Sequence, residues 1–403
     1  MSTTTPARVL VLDGHTNQAL AVVRSLGRAG HEVLVASPWP RCLASWSRHC
    51  AGTVRVGTES LGAYETLRAW AGLRRVDVVL PLTERSCLLC SLAREAWERS
   101  GITVGCAPLD LLTRAFDKRE TLRHAKAVGV RVPATFAPGS MAEARDAARG
   151  TGFPCVIKPR FSHAWTGEGF VPDRGCAYAA KPEDVEPAVR ARQDGDLWPL
   201  VQEFVPGRGQ GVFALCDHGR VLAWFAHERL RDVRPTGSGS SVRRSIALSP
   251  QLRAPAERLL ASMQWHGPAM VEFRVAPGSA PCLMEVNGRF WNSLQLAVEA
   301  GVDFPRLWLS VLRGEAVEAP PPYAEGVTVR WLWGDVKRFL YVLAGPPDGF
   351  SGPYPSIWQG ARELLGHQVR PSRLEIWQSS DPWPAVGEWV QGARELWHAR
   401  SPR

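Results

Sequence analysis

Lysine is scarce in this 403-residue chain: it occurs only at positions 118, 126, 158, 181 and 337, so that 43 of the 48 basic residues are arginine. No apolar run approaches the length that spans a bilayer, which excludes a membrane-embedded reading. Met1 to Arg8 is short and polar and lacks a signal-peptide core, so a cytoplasmic protein is expected. The nine cysteines are odd in number and scattered, which does not suit a disulfide framework in a chain of this size. Cys87 and Cys90 form the only close pair, and with no second pair at metal spacing they read as helix packing rather than a redox or zinc site. The segment Gly14-His15-Thr16-Asn17, after the first apolar run, lacks the glycines of a dinucleotide fingerprint. Internal repeats and low-complexity tracts are also missing. The net charge of +9 invites a nucleic-acid reading, but the basic residues are dispersed. Pairs such as Arg74-Arg75 and Arg243-Arg244 are isolated from aromatic stacking platforms. No nucleic acid is expected as partner; an anionic small molecule accounts for the excess charge more economically.

What is present is concentrated late in the chain. Met270-Val271-Glu272-Phe273-Arg274 and Cys282-Leu283-Met284-Glu285-Val286-Asn287-Gly288-Arg289-Phe290 read as two short strands. Side chains two apart share a face of a strand, so Glu285, Asn287 and Arg289 are expected on one side, with Glu272 able to add an oxygen from the strand before. Such oxygen donors suit Mg²⁺, which takes one or two carboxylates and completes its shell with phosphate and water. A neighbouring arginine can neutralise charge on a transferring phosphoryl group. Taken alone, the pair could equally be an amphipathic hairpin with a solvated polar face.

A chain of this length is expected to hold two or three domains. Ala7–Asp13, a helix over Gln18–Arg28 and Glu32–Ala36 form a βαβ opening, and Asp77–Pro81 with a helix over 86–99 continue it to about residue 110. A helix over Leu109–Val128 leads to the strand Cys155–Pro159. Phe161 to Gly169 follows as a small-residue loop, either a lid over phosphate or an ordinary hairpin connection. From Leu200 short strands dominate, predicting an antiparallel sheet with helices on one face. Beyond 313 the chain carries Trp331, Trp333, Trp358, Trp377, Trp383, Trp389 and Trp397, which are expected to be buried against the core or in a homodimer interface.

Further segments precede the paired strands: Phe116-Asp117-Lys118-Arg119, Val156-Ile157-Lys158-Pro159 and Leu200-Val201-Gln202-Glu203-Phe204-Val205-Pro206-Gly207. In this order and at these separations the set resembles the ATP-grasp superfamily, particularly its carboxylate–amine ligases, over roughly residues 5 to 312. The resemblance implies a fold of mixed α/β and α+β class. Its parts would be a Rossmann-like pre-ATP-grasp domain (1–110), an ATP-grasp N-lobe (111–199), a C-lobe with the metal site (200–312) and a tryptophan-rich extension (313–403). It implies ATP and Mg²⁺, or Mn²⁺ in its place, as cofactors, and small-molecule carboxylate and amine substrates joined through an acyl-phosphate. Carried over residue by residue, it assigns Lys118 and Lys158 to the ATP phosphates. Glu203 and Val205 fall in the hinge that meets the adenine edge, Gln202 near the purine, and Gln210 at the ribose. Glu272, Glu285 and Asn287 would hold the metal, Arg289 would stabilise the phosphoryl and acyl-phosphate oxyanions, and Arg229 would be a second catalytic arginine. A surface position for Arg229 and an edge-strand role for Lys158 stay open, as do a thiol or bicarbonate co-substrate and a non-catalytic nucleotide-binding scaffold. His163 and His227 are expected to be structural. Many members carry proline after the metal-binding asparagine; here Gly288 stands there, which is expected to relax the backbone before Arg289.

Overall fold

The computed structural model describes residues 5–57, 60–171, 174–366 and 373–400. Five strands, β1 (Arg8–Val11), β2 (Glu32–Ser37), β3 (Cys50–Arg55), β4 (Val78–Leu80) and β5 (Thr103–Val104), form a parallel sheet in the order β3-β2-β1-β4-β5. Val9, Leu10 and Val11 are all fully buried, as a parallel strand covered on both faces requires. The helix Asn17–Arg28 returns from β1, its start fixed by Thr16, whose hydroxyl accepts the Ala19 N–H at 3.3 Å. The helix expected over 86–99 divides at Ala93 into Glu84–Leu92 and Arg94–Arg99. Cys87 and Cys90 are buried in the first of these pieces, and all nine cysteines are free thiols.

Four short antiparallel strands follow, β6 (Thr135–Phe136), β7 (Cys155–Lys158), β8 (Ala177–Ala179) and β9 (Leu200–Glu203), in the order β6-β9-β7-β8. The helices Met141–Thr151 and Val185–Arg190 bury Ala144, Ala148 and Val189 on this sheet. The helix expected over Leu109–Val128 is broken at Asp117. That carboxylate accepts the N–H groups of Arg119 (3.0 Å) and Glu120 (3.4 Å), capping a new helix, Lys118–Ala127. Asp117 also holds the Arg160 guanidinium at 3.0 Å, tying the helix start to the end of β7.

The largest sheet has seven strands: β10 (Arg208–Asp217), β11 (Arg220–Arg231), β12 (Val242–Ser245), β13 (Gly267–Val275), β14 (Cys282–Asn287), β15 (Thr328–Arg330) and β16 (Arg373–Leu374). Their order is β14-β13-β10-β11-β12-β15-β16, antiparallel except for the last pair. The two final strands come from the tail, which therefore extends this sheet rather than standing apart from it. The tail also reaches the first sheet's domain: Gln391 donates to the His15 carbonyl at 2.8 Å, and Arg24 pairs with Asp381 at 2.8 Å.

Burial of the tail tryptophans differs from the expectation. Trp333 is buried and Trp331 half-buried, whereas Trp358, Trp377, Trp383, Trp389 and Trp397 are exposed. The helices bearing Trp358, Trp383, Trp389 and Trp397 turn one polar or small-residue face inward, through Glu363, Gly360, Glu388 and Gln391, and leave these indoles outside, while Trp377 lies between helices. Gly288 has a packing reason as well. A Cβ there would lie 2.4 Å from the ring of Trp265, a side chain with no exposed surface. Close approach to that indole, not backbone freedom, is what demands glycine before Arg289.

Candidate active site

The register of β13 on β14 sets Glu272 directly opposite Glu285, and Met270 opposite Asn287. Two carboxylates facing each other across a ladder repel, so cations must offset them. The structure supplies both. Arg229, from β11, pairs with Glu272, and Lys158, the last residue of β7, lies 3.6 Å from Glu285. Burial alone would push Glu285 upward, but Lys158, Lys118 and Arg229 bring its carboxyl down to about 2. Glu272 moves the other way: burial raises it, and the Glu285 charge adds to the rise against the pull of Arg229. Burial disfavours the Lys158 ammonium, yet Glu285 and its neighbours carry it above the ordinary lysine value. Lys118 is lowered by burial and by Lys158, and its ammonium donates to Ser162 at 2.9 Å.

These groups line a cavity of about 640 Å³ between the four-stranded and seven-stranded sheets. Lys118, Lys158, Gln202, Val205, Arg229, Glu272 and Glu285 all border it. Five cations, Lys118, Lys158, Arg229, Arg234 and Arg274, face two carboxylates there, so the cavity suits a polyanion of nucleotide size. Gln202 is almost fully buried and donates to Thr135 at 2.9 Å. The Glu203 side chain turns away to accept the Ala134 N–H at 3.0 Å, leaving Phe204 and Val205 to face the cavity. Gly207 then turns the chain with φ +117, passing so near β13 that a Cβ would fall 2.5 Å from the Val275 carbonyl. Gln210 is not brought into this cavity: it borders a separate surface depression with Arg131 and Arg258.

Asn287 and Arg289 open on the other side of Glu285. Arg289 donates to Asn287 Oδ1 at 3.1 Å and lies 3.5 Å from Glu84, at the start of the helix Glu84–Leu92. They border a second cavity of about 440 Å³, and Ser162 and Glu285 line both. Its far wall is the tail: Trp331, Trp333, Lys337, Glu388 and Gln391. Sequence reading missed this wall, because its residues lie far along the chain from those they face, 376 positions in the case of Gln391 and His15. It also missed Arg274, although that residue shares the strand face of Glu272 by the same two-residue spacing. Arg274 donates to the Gly207 carbonyl at 2.8 Å and the Gly237 carbonyl at 2.9 Å, tying the turn after β9 to the loop before β12. The loop 161–169 is a short hairpin, with Thr166 N–H on the Gly169 carbonyl at 2.9 Å. His227 is buried edge-on to Phe213, and burial takes its imidazole well below the usual range. His163 accepts from Arg85 at 3.3 Å.

Glu388 offers a pH test. Burial pushes its carboxyl up to about 8, reinforced by Glu375 and Glu395 against Trp331 and Lys337. The folded state then keeps a proton that the unfolded chain sheds near the ordinary glutamate value. Stability should fall as pH rises from about 5 to about 8, by on the order of a few kcal/mol at most. Glu388→Gln should flatten that decline and raise the melting temperature most at pH 8. An unchanged pH profile would show that Glu388 does not titrate this way.

The donor set of Glu272, Glu285 and Asn287 is all oxygen, clustered by the β13–β14 register and compensated by cations. It fits a hard divalent ion of the Mg²⁺ type. Residues 198–334 match the family described as ATP-grasp in the biosynthetic pathway with Ter operon. That stretch is similar to an ATP-grasp family. The chain's fold is shared with N5-carboxyaminoimidazole synthetase of Staphylococcus aureus complexed with ADP, at 14% identity, TM-score 0.63 and 80% coverage of each chain. It is also shared with the biotin carboxylase domain of 2-oxoglutarate carboxylase from Hydrogenobacter thermophilus, solved with MgADP and bicarbonate. There the identity is 17% and the TM-score 0.63, over 77% of this chain and 71% of that one. A 104-residue stretch is 32% identical to the carbamoyl phosphate synthase large chain of Pseudomonas putida; it covers 25% of this chain but only 10% of that relative. No helix among the described residues is long and apolar enough to cross a membrane.

Proposed function

We propose that the chain is an ATP-dependent carboxylate–amine ligase that activates an organic acid as an acyl-phosphate and joins it to an amine, releasing ADP and phosphate. The observation that carries this reading is the pair of cavities meeting at Glu285, one cationic and nucleotide-sized, the other polar and bordered by Arg289. Lys118 and Lys158 would hold the triphosphate as point charges, where a guanidinium fork is too broad. Glu272, Glu285 and Asn287 would hold Mg²⁺ or Mn²⁺, which when bound offsets the repulsion between phosphate and the incoming carboxylate. Arg289 would orient that carboxylate at the junction, where its oxygen attacks the γ-phosphorus and ADP departs. The neutral amine nitrogen then attacks the acyl carbon, phosphate leaves with the bonding electrons, and the nitrogen passes its extra proton to the departing phosphate or to solvent. Positioning and charge supply most of the rate in such a step.

On this reading the chain divides near residues 110, 199 and 312, acts in the cytoplasm on small molecules without nucleic acid, and pairs with a second copy through its exposed tail indoles. Bicarbonate in place of the organic acid is the second reading, because one fold neighbour was solved with that anion. A panel of acids, bicarbonate included, tested with a panel of amines should give ADP release that needs Mg²⁺, and hydroxylamine should trap the activated acid as a hydroxamate. AMP and pyrophosphate as products would exclude the acyl-phosphate route. Release with bicarbonate alone among the acids would favour the second reading.

A further inference from the structure

The second cavity contains four acidic side chains, Glu84, Glu285, Glu388 and Glu395, against two cations, Arg289 and Lys337. Three of the four carboxylates are already matched. Glu84 lies 3.5 Å from Arg289, Glu395 2.8 Å from Lys337, and Glu285 3.6 Å from Lys158. Glu388 is different. It is 7% exposed and has no cationic partner among the described residues; its recorded hydrogen bond is from the Trp331 indole N–H at 2.5 Å. A buried carboxyl group in that position is costly unless something else completes it.

The wall around the same cavity includes buried polar atoms without partners. Gln18 Oε1, His15 Nδ1 and Trp333 Nε1 are buried and make no hydrogen bond, and all three residues line it. Gln18 and Trp333 are 6% and 5% exposed, so bulk water does not reach them freely. Unmet buried groups of this kind each cost about 1–3 kcal/mol. The open lining of this space, of about 440 Å³, is itself polar, with Asn287, Asn292, Glu388 and Gln391, and suits a polar ligand. The neighbouring cavity is dominated by cations, so a positively charged ligand gains by entering this one and loses by entering the other.

The wall that bears Glu388 is held in place independently of nucleotide. Gln391, one turn further along the same helix, donates to the His15 carbonyl at 2.8 Å and accepts the Leu43 N–H at 3.1 Å. Trp331 meets the carboxyl group with its indole N–H, and its face already accepts the Lys337 ammonium, 5.6 Å from the ring centre, so this wall is suited to nitrogen cations.

We propose that Glu388 anchors a cationic nitrogen of the amine substrate, so that the tail, rather than the nucleotide-binding lobes, selects the amine; this rests on the ligase reading above. Burial pushes the Glu388 carboxyl up to about 8 in the unliganded chain, so amine binding near neutral pH should release a proton to buffer.

The test uses the full chain without nucleotide and isothermal calorimetry with primary amines of alkyl, aryl and amino-acid-amide body, each paired with its hydroxyl counterpart. At least one amine should bind roughly tenfold or more tightly than its alcohol, the scale of a charge-assisted hydrogen bond. Glu388→Gln can still accept the Trp331 N–H and should bring the pair within about twofold. Trp331→Phe leaves the carboxyl group and should keep the preference, which separates loss of charge from loss of packing. No binding by any amine, equal binding of amine and alcohol, or a preference that survives Glu388→Gln would each overturn the inference. If ADP release with that amine proves normal but the preference is missing, the inference falls and the ligase reading stands. If the preference is present but no acid elicits ADP release, the ligase reading falls.

Discussion

Lys158→Ala should lower the rate of Mg²⁺-dependent ADP release by roughly two to three orders of magnitude, the scale of losing a charge aimed at a transferring group. Lys158 ends β7 in the nucleotide-sized cavity and lies 3.6 Å from Glu285. Its removal acts twice. One point charge for phosphate is lost, and Glu285, held down to about 2 by Lys158, Lys118 and Arg229 against burial, loses the largest of those three supports. The carboxylates of Glu272 and Glu285, opposite each other on neighbouring strands, would then repel with Arg229 as the main compensation. Glu285→Ala should be as severe by the complementary route, since it removes a proposed metal oxygen and frees Lys158. Both variants should keep a cooperative thermal transition, because the ladder and the core beneath it are untouched. A turnover number within about threefold of the parent for either, with full Mg²⁺ dependence, would mean that the reacting centre lies elsewhere.

How much of this could be read beforehand depends on the range of the interactions. Glu285 and Asn287 share a face because of a two-residue period, and that period is local, so the sequence carried it. The near-absence of lysine drew attention to Lys118 and Lys158, and both reach the same cavity. Arg274 obeys the same local period, two residues on from Glu272, but no local pattern says that it reaches the cavity. Gln210 shows the opposite failure: strand alternation gives a face but not which cavity that face meets, and it borders a depression away from the lysines. The break at Asp117 was masked because apolar spacing continues through it; the capping carboxylate was the available signal. The tail was the least legible part. Its tryptophans suggest burial by composition, yet five of the seven are exposed, and what it does bury are polar groups such as Glu388, Gln391 and Asp381. The contacts of Gln391 and Asp381 join residues more than three hundred positions apart, which no local pattern records.

Arg24→Met should cost about 3–5 kcal/mol, the range for breaking a buried ion pair by removing one partner. Arg24 and Asp381 have side chains 1% and 0% exposed, with Nε and Oδ2 2.8 Å apart. The guanidinium also donates to the carbonyls of Ile376 at 2.8 Å and Asp381 at 2.9 Å, so its loss leaves a buried carboxylate and two carbonyls without it. Asp381 would keep Ser47 at 2.7 Å and the Arg48 N–H at 2.9 Å, neutral donors that cannot replace a cation in a buried site. Urea denaturation at pH 7 should show an earlier first transition, and limited proteolysis should cut the tail before the remainder. Arg24→Met combined with Asp381→Leu should recover part of the loss, since two apolar side chains leave no charge stranded. The functional consequence follows from position. Asp381 stands at the entry to the last helix, Trp383–Arg400, which carries Glu388 into the second cavity. Loosening that clamp should raise the KM for the amine several-fold while leaving that for ATP nearly unchanged, because the nucleotide-sized cavity lies on the far side of Glu285. Equal rises in both would indicate that the tail supports the whole molecule rather than the amine wall.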